Sequence, residues 1–202
     1  MAAPNIDAPS PTDSVVQKRS LKTILMAILL GLVVVVGAFC AVVASRPNEM
    51  KVSRTATMKA TPAAVFEQVN DFHKWDAWSP WAKMDPNAKV TFEGSTSGKG
   101  AIHTWAGNSD VGEGSMTIVE SEPNDHVRIK LDFIKPMPGT NDVLMKIEPK
   151  GDETQLTWSM AGEMNFMMKA VGMFMDCDKM IGDQFDKGLA SMKGIVESQP
   201  NH

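Results

Sequence analysis

Between Thr23 and Ser45 the chain carries no charged side chain. Wound as a helix, this run is about 35 Å long, the thickness of a bilayer's hydrocarbon core. A buried helix of a soluble protein does not fit, because nothing polar breaks the run. A cleavable signal peptide fits poorly, since its apolar part is typically about 7–15 residues. Val42-Val43-Ala44 is at best a weak cleavage signal, and Cys40 follows Phe39 rather than the small residue a lipoprotein anchor needs. The expectation is an uncleaved transmembrane signal anchor over residues 21–45.

That run divides the chain. Residues 1–20 are expected to form a disordered cytoplasmic tail, rich in Ala, Pro, Ser and Asp, with too little apolar content to fold. Lys18, Arg19 and Lys22 flank the run on one side, and Arg46, Lys51 and Arg54 on the other, so charge asymmetry hardly orients it. A long C-terminal domain translocates largely regardless of such charges, which places the domain outside the cytoplasm, in the periplasm.

The chain beyond the anchor is long enough for one domain with its own core. The net charge of −4 and scattered Lys and Arg argue against nucleic acid as a partner. The two cysteines, Cys40 and Cys177, suit neither an intrachain disulfide nor a metal-type spacing.

The domain opens with alternation over Met50–Met58, a strand. Thr61-Pro62 then starts a helix, Thr61 as N-cap and Pro62 at the first helical position, with Val65, Phe66 and Val69 on its apolar stripe. Next come Trp75, Trp78 and Trp81, three apart, three of the five tryptophans. Trp75 and Trp78 share one side of a helical turn; Pro80 disfavours helix at Ser79, so Trp81 is expected in an irregular loop. Such a set is either a plug in the core or the wall of an apolar ligand cavity.

Six further strands are spaced by Gly, Asn, Asp and Pro. The clearest runs from His126 to Phe133, with Val127, Ile129, Leu131 and Phe133 on one face and Arg128, Lys130 and Asp132 on the other. Val143, Met145 and Ile147 repeat the pattern, as do Leu156, Trp158 and Met160. Close turns and one wet face imply an antiparallel meander. Its dry face needs a cover, and the helical stretch from Asn165 to about Val196 is the one segment of sufficient size. Gly172 and Gly182 are candidate breaks in that helix, and Asp183, Asp186, Lys187 and Lys193 suit its wet side.

The pattern resembles the START/Bet v 1-like helix-grip superfamily, and within it the bacterial polyketide cyclase/dehydrase and lipid transport branch. The matching residues are Thr61-Pro62-Ala63-Ala64-Val65-Phe66, Trp75 with Trp78-Ser79-Pro80-Trp81, Asp85-Pro86 and Gly98-Lys99-Gly100-Ala101. Trp105-Ala106-Gly107-Asn108, Gly112-Glu113-Gly114-Ser115-Met116, Thr157-Trp158 and the helix from Phe174 to Gly194 complete it. The resemblance spans about residues 50–197. It implies an α+β helix-grip fold, with a curved antiparallel sheet of about seven strands around a long C-terminal helix and a deep apolar cavity beneath that helix. It does not imply one activity, because the superfamily includes carriers, binders and cyclases.

The expected lining of that cavity is Trp75, Trp78, Trp81, His103, Trp105, Met116, Phe133, Met145, Trp158, Met160 and Met168. His103 shares a strand face with Trp105 and is the candidate general base, against the commoner role of a hydrogen-bonded rim histidine. His73 is expected on the wet side of its turn, His126 in a loop, and Asp76 holding its own turn. No phosphate loop, Gly-x-Ser-x-Gly or His-x-x-x-His occurs. The methionines and Cys177 near the C-terminus are soft ligands of the kind Cu(I) takes. Methionine also fills irregular apolar cavities, and that reading accounts for Met116 and Met145 as well, so neither metal nor cofactor is expected. The leading expectation is a membrane-anchored domain that binds a hydrophobic small molecule or lipid. The alternatives are a cyclase- or dehydratase-type enzyme using His103, and an envelope interaction domain without a ligand.

Overall fold

The structure is a computed structural model that describes residues 11–198, with side chains from residue 21. It divides into two compact units, one ending at Arg46 and one beginning at Pro47. The first is helix α1, Pro11–Ala44. Its stretch Leu21–Ala44, 24 residues, is long and apolar enough to cross a membrane. Residues 1–10 of the expected tail lie outside the described residues, whereas residues 11–20 continue α1 in the backbone.

The second unit holds one sheet. β1 (Glu49–Met58) is followed by the helices, and β2 (Lys89–Gly94), β3 (Ala101–Ala106), β4 (Glu113–Glu122), β5 (His126–Lys135), β6 (Gly139–Lys150) and β7 (Glu153–Glu163) form a meander. The sheet order is β1-β7-β6-β5-β4-β3-β2, antiparallel throughout. The first strand therefore pairs with the last. Thr55 and Thr157 face each other at 3.0 Å between hydroxyls, 102 residues apart in sequence.

The period-two alternation does what the sequence required of it. Val127, Ile129 and Leu131 of β5, Val143, Met145 and Ile147 of β6, and Leu156, Trp158 and Met160 of β7 are all buried on one face. His126, expected in a loop, is the first residue of β5, where it faces the carboxylates of Asp125 and Glu120.

α2 (Pro62–Val69) starts as expected, with the Thr61 hydroxyl accepting from the Ala64 N–H at 3.3 Å. A 3-10 turn, Phe72–Lys74, leads into α3 (Trp75–Trp78). That turn is held by Asp71 rather than Asp76. The Asp71 carboxylate accepts from the His73 backbone N–H at 2.9 Å and meets its ring Nδ1 at 2.8 Å. Trp81 is not in a loop. Ser79 is extended and Pro80 opens a second short helix, α4 (Pro80–Met84), because proline's fixed φ suits the first helical position even as it ends the helix before.

The expected C-terminal helix is two helices. α5 (Phe166–Val171) ends at Gly172, and α6 (Cys177–Glu197) begins after Asp176, whose carboxylate caps it by accepting from the Lys179 N–H at 2.9 Å. Gly172 is thus a break, but Gly182 is not. It lies inside α6 where the helix crosses Arg54 of β1. A Cβ there would meet Arg54 Nη2 at 1.9 Å.

Candidate functional site

α6 packs on β1 and on α2, α3 and α4. The space directly beneath it is filled by rings. Trp158 of β7 stacks on Phe185 of α6 with centroids 4.2 Å apart and planes 7° apart. Trp78, Trp75 and Trp81 meet Trp158 edge-on at 5.5, 6.2 and 5.7 Å. Gly188 lets α6 settle on this cluster, since a Cβ there would meet the Trp158 ring at 2.9 Å and Pro80 at 3.2 Å. Trp75 and Trp78 are buried and donate through Nε1 to the Val69 and Gln68 carbonyls, both at 3.3 Å. The expected deep cavity under the C-terminal helix is therefore occupied by side chains. Trp75, Trp78, Met145, Trp158 and Met160 belong to packed core.

The rest of the dry face is different. Cross-strand register puts Val90, Trp105, Gly114 and Phe133 in one row, and Phe92, His103, Met116 and Leu131 in the next. Directly paired residues share a face of the sheet. Trp105, His103, Met116 and Phe133 are half-buried, while Val90 and Phe92 are exposed. These rows form a partly exposed apolar trough on the dry face of the sheet, and α4 carries half-buried Trp81 and exposed Met84. Met168, in α5, is half-buried and lies outside the core cluster.

Trp105 is the best-fixed member of the trough. Its Nε1 donates to the Val111 carbonyl at 3.0 Å. Its ring lies across Gly114, where a Cβ would meet Cη2 at 2.5 Å, and it reaches Phe133 edge-on at 6.0 Å. Only glycine at 114 leaves room for it. The Asp85 carboxylate closes one end of this region by accepting from the Asn108 N–H at 2.7 Å, tying the end of α4 to the β3–β4 turn.

His103 sits among ring faces, 5.8 Å from Phe72, 5.3 Å from Phe92 and 6.0 Å from Trp105. Its Nδ1 is buried and has no hydrogen-bond partner, as is the case for Trp158 Nε1. Burial pushes its pKa below the ordinary 6.5, and the charge of Asp76 only partly opposes this. Burial thus favours the neutral imidazole, whose Nδ1 is enclosed without a hydrogen-bond partner. That suits either a single polar anchor in an apolar site or a base.

Two open clefts, of about 520 and 470 Å³, lie at the Glu49–Glu163 end of β1 and β7. The second is lined by Met50, Met164, Met173, Phe174, Met175 and Cys177, so the fold does gather these sulfur side chains. Among the described residues no group of three His, Cys, Asp or Glu side chains is placed to hold a metal ion.

Sequence reasoning missed Arg54. It falls on the dry face of β1, where its Nη2 meets Asp178 Oδ2 at 3.0 Å and its Nε meets Asp186 Oδ2 at 3.4 Å, both on α6. The signal was present as Asp178, Gly182 and Asp186, four residues apart on one helix face.

The family model for polyketide cyclase/dehydrase and lipid transport proteins matches residues 49–197. The chain belongs to that family. The match covers the whole of the second unit's sheet and α6. Family membership accounts for the helix-grip architecture, which solved structures share at low identity. A protein from Thermobifida fusca is 17% identical, with a TM-score of 0.56, over 75% of this chain and 96% of its own. A protein from Chromobacterium violaceum is 14% identical, with a TM-score of 0.54, over 76% and 100%. The major latex-like protein 151 of Panax ginseng is 15% identical, with a TM-score of 0.54, over 74% and 99%. No curated protein matches the chain. At these identities the neighbours speak to the fold of this family member and not to its ligand.

Proposed function

We propose that this family member is a membrane-anchored carrier or sensor of a hydrophobic small molecule or lipid, held on the open trough of the sheet. The observation that carries the reading is the pair of half-buried apolar rows, Trp105 and Phe133 in one and Met116 in the next, around His103 with its unpartnered nitrogen. Ligand sites combine apolar walls with few polar groups in this way. Trp81 borders the ligand; Trp75, Trp78, Met145, Trp158 and Met160 form the floor that holds the trough in shape; Met168 lies beyond its margin. α1 serves as the anchor, with the domain outside the cytoplasm, in the periplasm.

The test is the thermal midpoint of the compact unit 47–202 against lipids, sterols and aromatic compounds. A ligand at a hundred times its Kd stabilises the native state by about 2.7 kcal/mol. A clear rise for one chemical class is expected. No rise for any class removes the reading and favours an interaction domain.

His103 gives a second reading some support, because an imidazole with an unpartnered ring nitrogen in an apolar site is equipped to accept a proton. As an enzyme, the protein would lose turnover of an apolar substrate in His103→Ala while binding persisted. Unchanged turnover removes His103 as the base.

A further inference from the structure

The segment between β7 and the body of α6 is the most apolar exposed surface of the domain. Phe174 is 79% exposed and Met167 62%, and Phe166, Val171, Met175 and Met180 are exposed beside them. Six large apolar side chains within fifteen residues of sequence form a patch of the kind that marks an interaction site. The patch borders the cleft of about 470 Å³ lined by Met50, Met164, Met173 and Met175. Nothing in the fold of the domain calls for this exposure, since the core is complete without it.

The chain itself says what lies opposite. The apolar helix ends at Ala44, and Asn48 is already fastened to this segment. The Asn48 carbonyl accepts from the Met164 N–H at 2.7 Å, and its side-chain oxygen accepts from Lys169 Nζ of α5. Three residues separate Ala44 from Asn48, and the four Cα–Cα steps between them span at most about 14 Å. A domain tied to a membrane helix on so short a lead, through the very residue that holds α5, keeps α5 within reach of the lipid headgroups.

We propose that residues 166–180 dock on the bilayer in which α1 is anchored, with Phe166, Met167, Phe174 and Met175 seated at the headgroup–acyl boundary. The methionine-lined cleft then opens toward the lipid and gives an apolar ligand a dry route between bilayer and domain. The inference rests on α1 being a membrane anchor, and it goes beyond that reading by assigning the face that meets the lipid.

The experiment uses the full chain reconstituted in phosphatidylcholine vesicles. Cys40→Ser and Cys177→Ser remove the native thiols. An environment-sensitive fluorophore is attached at Phe174→Cys and, as comparator, at Asp152→Cys in the β6–β7 turn at the other end of β7. Flotation of the vesicles reports anchoring separately. The expected result is a blue-shifted emission at position 174, quenched severalfold by nitroxide-labelled lipid, with no quenching at 152. Protein that floats with the vesicles but is unquenched at 174 overturns the docking face and leaves the anchor standing. Protein that does not float overturns both. Equal quenching at both positions also overturns the proposal, because the docking would then not belong to this face.

Discussion

The guanidinium of Arg54 occupies the place where a side chain at Gly182 would begin, 1.9 Å from Nη2 and 2.2 Å from Cζ. Asp178 and Asp186, one turn to either side of Gly182 on α6, hold it there. The helix needs a glycine at that point despite glycine's poor helix propensity. Gly182→Ala improves propensity by about 1 kcal/mol, but it displaces Arg54 from two carboxylates and overpacks the contact, at about 1–3 kcal/mol. A net loss of about 1 kcal/mol is expected. In an Arg54→Ala background the same substitution should stabilise, and the sign reversal in denaturant melts is the check. Gly194, on the same helix, has nothing within 4 Å, so Gly194→Ala should stabilise by about 0.5–1 kcal/mol in either background.

His103 makes stability depend on pH in a defined direction. Its folded pKa lies below the ordinary 6.5 because burial disfavours the cation. Between the two values the unfolded chain binds more protons than the native state, so stability falls as pH falls. The loss begins near 6.5, deepens toward the folded pKa and is complete below it. The lowered carboxylates, Asp132 beside Lys130, Asp125 beside Lys146 and Asp183 beside Lys179, act only near and below their ordinary 3.8. Denaturant melts between pH 7 and pH 5 should show a shallower slope in His103→Leu than in the parent. Equal slopes would mean that the imidazole is not desolvated.

Two tryptophans in one cluster should respond differently to the same change. Trp78 Nε1 donates to a backbone carbonyl, whereas Trp158 Nε1 is buried with no partner. Both substitutions to Phe lose ring volume. Trp78→Phe also orphans the Gln68 carbonyl, a penalty of about 1–3 kcal/mol, while Trp158→Phe removes an unsatisfied group. Trp158→Phe should therefore cost less, read as the difference in midpoint of urea denaturation.

Phe133 and Phe185 separate binding from folding. Phe185 is stacked and buried, so Phe185→Ala should cost about 3–5 kcal/mol. Phe133 is half-buried at the trough, and Phe133→Ala should cost clearly less. It should nevertheless weaken the midpoint rise produced by a ligand. An undiminished rise would place the ligand elsewhere, with the β1–β7 cleft as the next place to probe.

Much of the architecture was legible because it rests on strict periodicity. The alternation from Val127 to Phe133, and again around Met145 and Trp158, admits one face as dry and one as wet. The errors have local causes. Pro80 reads as a helix breaker for Ser79 and equally as a helix starter for Trp81, and the backbone uses both properties. Arg54 escaped because a charge at a dry-face position looks like noise until its two carboxylates arrive from a helix more than a hundred residues away. The filled interior was the hardest to foresee. Aromatic residues on a sheet face look the same whether a ligand covers them or, as with Trp158 under Phe185, another ring does.

The pairing of β1 with β7 sets an order of events in biosynthesis. Thr55 leaves the ribosome 102 residues before Thr157. At about 5–20 residues per second, β1 waits roughly 5–20 s for the strand that completes it. During that interval β2 to β6 can zip hairpin by hairpin, but the sheet has no closing edge and Arg54 has no carboxylates to meet. α6, made after β7, supplies those partners and covers β1 in the same step. Residues 153–197 thus commit the fold, and a chain truncated before Cys177 would leave β1 and the aromatic cluster without their cover.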